Sequence, residues 1–240
     1  YGNTIPTVLD ERAEVANLTR NIVIQSADDA AWQQDGFGAQ VMVMDRSSNL
    51  QLNGVELRRM GQAGKFGRYP IHFHNLSYDS NGAELGDVNY AMKNSVVWNS
   101  SQRCMVIHGS NGVILQNNIC YDIKGHAIFM EDAVERRNVL EGNLVLKVRE
   151  PNKAHALLKH ESGAEGGTAS GFWITNPDNT LRGNAVADVV GHGYWLAFPT
   201  KTLGTNAQVS VKTGVRPDHQ PFGVFENNVA HSVGRNGIHL

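Results

Sequence analysis

The stretch GVILQNNIC, residues 112–120, returns in altered form as RNVLEGNLV (137–145), DNTLRGNAV (178–186) and FGVFENNVA (222–230). Each copy carries a largely apolar pair, two polar or small residues, an asparagine and then an apolar residue. The asparagines are Asn118, Asn143, Asn184 and Asn228, and Ser95 takes the same place in AMKNSVVW (91–98). A second set of short segments follows the first: YPIHFH, CMVIHG, AIFMED, GFWITN, GYWLAF and GIHL. Between segments of this second set, Met105 to Ile128 is 23 residues, Phe172 to Tyr194 is 22, and Tyr194 to Ile238 is 44, or two repeats of 22.

Helical periodicity is weak along the chain. Short β-rich runs are separated by Gly, Asn, Asp and Ser, which is the pattern of an all-β protein. A repeat of about 22 residues with a recurring Asn predicts a parallel β-helix solenoid, residues 1–240 forming one domain. A propeller blade would need a repeat nearly twice as long. Asn suits a left-handed corner, and its amide can bond the next Asn along the stack. Leu240 falls in mid-strand, so further β-helix turns or another domain are expected beyond it, because a bare strand edge invites association.

Stacking the second set in register sorts its residues into columns. Ile71, Met105, Ile128, Phe172, Tyr194 and Ile238 form one inward column, and Phe73, Ile107, Met130, Ile174, Leu196 and Leu240 another. Between them His72, Val106, Phe129, Trp173, Trp195 and His239 face outward. Two residues on, His74, His108, Glu131, Thr175 and Ala197 form a second outward column. An outward row of aromatics predicts either a covering loop or a sugar-stacking platform of Phe129, Trp173 and Trp195, with Asn176 beside it.

His74, His108 and Glu131 fall on three successive turns, with His72 beside them. Two or three imidazoles and one carboxylate suit a divalent transition metal better than calcium, which prefers oxygen ligands. The same groups could move protons. Lys159 and His160, in the long loop REPNKAHALLKHESGAEGG, are further catalytic candidates able to reach over this face. His126 and His192, with Arg103 and Asn236 at the same repeat position, read as a structural column ahead of the strand. Asp132 alternates away from Glu131, so the two are not read as a facing pair of glycosidase carboxylates.

The net charge of −2 gives no global basic field, which argues against a nucleic-acid partner. No apolar run is long enough to span a membrane. The sequence starts at Tyr1 and is expected to be a mature or excised piece of a longer chain. Two cysteines, Cys104 and Cys120, are expected to be packed thiols rather than a bridge. Glycosylation sequons occur at Asn17, Asn75 and Asn99.

The segments RAEVANLTRNIVIQ, VELRRMGQ, GRYPIHFH, RCMVIHGSNG, GHAIFMEDAVERRN, FWITNPDN and FENNVAHS resemble, in order, the β-helix region of the CEMIP and transmembrane hyaluronidase family. Fibrocystin-like proteins are more distant kin. The resemblance implies a right-handed parallel β-helix, a secreted or cell-surface setting, and calcium-dependent depolymerisation of hyaluronan. The long loop above and FPTKTLGTNAQVSVKTG (198–214) depart from the family pattern, and Arg136 stands where an acidic residue is expected.

Together these readings predict a depolymerase of an acidic polysaccharide, hyaluronan-like, by hydrolysis or by elimination. Glu131 is the candidate acid for hydrolysis, and His108 or Lys159 the base for elimination. The rival reading is a non-catalytic glycan-binding or adhesion module.

Overall fold

The structure is a computed structural model that describes residues 13–151, 157 and 169–240. Its strands form three parallel sheets wound into a β-helix. The first sheet stacks Ile22–Gln25, Val55–Met60, Val96–Ser100, Ile119–Lys124, Leu144–Arg149, Ala185–Val189 and Val229–Val233. The second stacks Val41–Val43, Ile71–His74, Met105–His108, Ile128–Met130, Phe172–Ile174, Tyr194–Leu196 and Ile238–His239. The third stacks Gln51–Asn53, Ala91–Lys93, Ile114–Gln116, Val139–Glu141, Thr180–Arg182 and Val224–Glu226.

The registers follow the columns read from sequence. Ile71 pairs with Met105, Met105 with Ile128, Ile128 with Phe172, and Phe172 with Tyr194. These residues and the Phe73–Leu196 column are buried in one continuous core. Leu57, Val97, Cys120, Val145 and Val186 reach it from the first sheet, and Met92, Leu115, Leu140 and Leu181 from the third. In the last rung Ile238 and Leu240 remain exposed.

Tyr194 pairs directly with Ile238. The 44-residue step is therefore one rung plus an excursion, not two rungs. The extra chain leaves the solenoid after Leu196 and includes the helix Ala207–Thr213.

The asparagine ladder is present, with a changed division of labour. The amide of Asn143 donates to Asn184 Oδ1 (3.0 Å) and to Leu115 O (2.9 Å), while Asn143 Oδ1 accepts from Asn118 N (3.1 Å) and Asn118 Nδ2 (3.1 Å). Asn184 repeats the pattern with Asn228. The left-handed backbone lies one residue earlier, at Asn94, Asn117, Gly142, Gly183 and Asn227. The corner thus needs two residues in tandem: one that tolerates positive φ, and one whose side chain satisfies backbone groups the turn leaves open. Asn138 and Asn179 form a second ladder at another corner (2.9 and 3.0 Å).

Cys104 and Cys120 are joined as a disulfide, contrary to the expectation of two thiols. Cys104 leads into the second sheet and Cys120 points inward from the first. Both are buried and their Cα atoms stand 6.1 Å apart, within bridging range. The bridge ties two walls of the solenoid beside the rung that carries His108.

Candidate functional site

The outward ends of three neighbouring strands in the second sheet build the site. His74 pairs in register with His108, and Glu131 follows the next strand, its N–H donating to Ile107 O at 3.3 Å. His72 shares a face with His74 because the strand alternates. His74 Nδ1 lies 3.3 Å from His72 Nε2 and 3.0 Å from His108 Nδ1. One ring nitrogen from each of the three lies within 4.8 Å of the others. Nitrogens bound at about 2.0–2.1 Å to one tetrahedral metal would stand about 3.3 Å apart; the two spacings at His74 are of that size, so the cluster could hold a transition cation. The all-nitrogen core does not fit calcium.

The outer nitrogens have their own partners. His72 Nδ1 faces Gly67 O at 3.2 Å. His108 Nε2 lies 2.8 Å from Asp132 Oδ2 and 3.0 Å from Thr205 Oγ1. With these outer nitrogens protonated, the inner lone pairs of His72 and His108 both face His74 Nδ1, which can carry the ring proton because His74 Nε2 lies 3.5 Å from the Asn75 amide. Such an arrangement calls for a proton or a cation between them. Glu131 stands at the edge, its Oε2 3.6 Å from His108 Nδ1.

Asp132, read from alternation as turned away, is an integral part of the site. The strand stops at Met130, so strict alternation ends before Asp132 is reached. Its Oδ2 also accepts from Thr205 Oγ1 (2.9 Å), Asn206 N (3.1 Å) and Asn206 Nδ2 (3.0 Å). Asn206 Nδ2 reaches Asn75 Oδ1 at 2.9 Å. Glu135 lies fully buried behind, and its Oε1 accepts from Gly109 N (2.8 Å) and Asp132 N (3.0 Å).

The CEMIP beta-helix family pattern matches residues 36–238 of this chain. The chain belongs to the CEMIP beta-helix family. It is 31% identical over 97% of its length to the human protein named cell surface hyaluronidase CEMIP2, of which it spans 18%. It is 30% identical over 97% of its length to the zebrafish (Danio rerio) cell surface hyaluronidase, again spanning 18%. Mouse (Mus musculus) fibrocystin-L is 31% identical over 98% of this chain, which covers 6% of that protein. The chain therefore spans under a fifth of each of these relatives.

The electrostatics of this CEMIP-family site sort the three histidines. Burial, followed by the charges of His108 and His74, pushes His72 down to about 2. Burial and the His108 charge lower His74 to about 4. Burial also works against a charged His108, but it is outweighed by the hydrogen bond to Asp132 and by the charges of Glu131, Asp132 and Glu135. His108 is raised to about 9 as a result. Of the three, His108 is the one held in its charged form at neutral pH, where it cannot serve as a free base. Burial and the charge of Asp132 lift Glu135 to about 7.

The aromatic row is not an open platform. Phe129 and Trp173 are buried, packed with Tyr69 and Val106. The Arg103 guanidinium lies 3.6 Å from the Phe129 ring centroid, and His126 lies 4.7 Å from that of Trp173. The column ahead of the strand folds back over the aromatics, which gives the shared repeat position of Arg103, His126 and His192 a packing purpose. Trp195 keeps partial exposure. Asn176 is buried, its Nδ2 donating to Ala133 O (2.8 Å) and its Oδ1 accepting from Asp178 N (3.0 Å). It holds a corner, which commits the amide expected to meet substrate. Lys159 and His160 lie outside the described residues.

Asp132 could have been suspected from its place directly after Glu131. Thr205 and Asn206 carry no such signal, since they lie 73 and 74 residues from Asp132 in sequence.

Proposed function

We propose that this chain is the catalytic β-helix of an extracellular or cell-surface depolymerase of an acidic polysaccharide, hyaluronan-like in its uronic acid content. The convergence of His72, His74 and His108, with Glu131 at its edge and Asp132 behind, carries this reading. The hyaluronidase names of two relatives support the substrate class.

In this reading His72, His74 and His108 hold one divalent transition cation, with Glu131 as an additional ligand or as the carboxylate at its edge. When bound, the cation supplies positive charge that polarises a bond or neutralises a substrate carboxylate. Asp132 holds the Nε2–H of His108, which fixes the ring and leaves Nδ1 facing inward. Glu131 would exchange a proton with the glycosidic oxygen, as hydrolysis requires. Were the chain cut by elimination, Glu131 would be the group to accept the proton, since the three imidazoles are committed to the cation. Trp195, the partly exposed member of the aromatic row, would meet a sugar ring.

The test follows the size of hyaluronan incubated with wild type, with His108→Ala, and with wild type plus chelator. Shortening by wild type alone is expected. New ultraviolet absorbance from an unsaturated product would assign elimination, and its absence with shortened chains would assign hydrolysis. Hyaluronan bound but never shortened would establish the rival glycan-binding module instead.

A further inference from the structure

The excursion that follows Leu196 returns to touch the solenoid two rungs away, at Asp132. The contact is dense. Leu203 N donates to Asp132 O (2.8 Å), and Asp132 Oδ2 collects Thr205 Oγ1, Asn206 N and Asn206 Nδ2 in addition to His108 Nε2. One carboxylate oxygen therefore has four donors around it. The same segment reaches the His74 rung through Asn206 Nδ2 and Asn75 Oδ1.

Two glycines make the approach feasible. A Cβ on Gly204, whose φ is +52°, would lie 2.0 Å from Asp132 Oδ1. A Cβ on Gly109, with φ +55°, would lie 2.3 Å from Asn75 Oδ1 and 2.7 Å from Asn206 Nδ2. Both positions combine a left-handed backbone with a contact that no side chain could share. The segment is also braced from behind. Thr202 Oγ1 donates to Asn206 O (2.8 Å) and accepts from Ser210 N (3.1 Å), and Val209 packs on Tyr78 and Val134.

We propose that residues 203–206 are a positioning element of the metal site, fixing the Asp132 carboxylate against His108 Nε2 so that His108 Nδ1 is presented to the cation. This rests on the three-histidine metal reading given above. The physical basis is general: a carboxylate that holds the outer N–H of a ligating imidazole fixes its tautomer and orientation and raises its basicity. Here that carboxylate is itself held by a strap from a distant part of the chain.

The test is Zn²⁺ affinity, measured by competition with a chromogenic chelator, for wild type and five variants. Gly204→Ala drives a methyl into Asp132, Thr205→Val removes one hydroxyl at nearly constant shape, and Asn206→Ala removes the amide. Thr205→Ser restores the hydroxyl. Gly214→Ala is the control, because Gly214 is also left-handed (φ +69°) but a Cβ there meets nothing within 4 Å. Expected are losses of about 10–100-fold in Zn²⁺ affinity for the first three variants, with wild-type affinity in Thr205→Ser and Gly214→Ala. Thr205→Val and Asn206→Ala binding Zn²⁺ as wild type does would overturn the positioning role and leave the metal site standing. Wild type failing to bind Zn²⁺ would overturn the metal reading and the positioning role with it. Should Gly204→Ala not fold, the Thr205→Val and Thr205→Ser pair still decides the question.

Discussion

Replacing Asp132 by Asn removes one charge from beside His108 and nearly preserves its shape. In the metal-free protein His108 is raised from 6.5 to about 9. A histidine whose folded pKa exceeds its unfolded value contributes stability that is fully present below the unfolded pKa and is lost as pH rises through the folded one. His108 therefore stabilises the fold below pH 6.5, and that contribution fades between 6.5 and about 9. Glu135, raised to about 7, adds its own pH dependence at the lower end, so the clean window lies between pH 7 and 9. Two pH units at about 1.4 kcal/mol each set a ceiling of about 3 kcal/mol. His108 is 4% exposed, so solvent screening takes little from this figure. The assay is urea unfolding with chelator present, repeated across that window. Wild type should lose about 2–3 kcal/mol more than Asp132→Asn between the two ends. Parallel stability curves would show that Asp132 does not hold a proton on His108, and would refute the account of the dyad.

Three further outcomes are expected. Asn143→Ala strips partners from Asn118 N, Asn118 Nδ2 and Leu115 O inside the solenoid, so chemical denaturation should register a loss of about 3–5 kcal/mol; a loss below about 1 kcal/mol would mean the ladder is incidental. The double variant Cys104→Ala, Cys120→Ala opens a link across 16 residues and should lower stability by about 3 kcal/mol in the same assay, whereas an unchanged midpoint would show that the bridge constrains nothing. Trp173→Ala should cost about 3–5 kcal/mol in stability while leaving the hyaluronan affinity of the folded fraction unchanged, and Trp195→Ala should do the opposite; weakened binding in folded Trp173→Ala would restore the open platform.

Much of the solenoid was legible because a β-helix writes its register into the chain. Ile71, Met105 and Ile128 sit at equivalent places in successive turns, and the side chains that alternate with them inherit the same stacking. That stacking pairs His74 with His108 from the repeat alone. What escaped lies where alternation stops or the chain wanders. Asp132 lies two residues past the end of its strand, and the corner turns it toward His108. Thr205 and Asn206 arrive by an excursion whose length made one rung look like two. The Cys104–Cys120 bridge joins different walls, a relation that a repeat within one wall does not encode. The aromatic row was placed in the correct column, but its burial depends on Tyr69, Arg103 and His126 folding over it.

The central claim is that His72, His74 and His108 hold a cation needed for polysaccharide cleavage. The most direct measurement determines bound metal and hyaluronan chain length on the same preparation, before chelation, after chelation, and after Zn²⁺ or another single divalent metal is returned. Expected are one transition metal per chain, shortening of hyaluronan that stops when the metal is removed and resumes when it is restored, and neither metal nor shortening in His108→Ala. Hyaluronan cut at an undiminished rate by protein free of metal would contradict it.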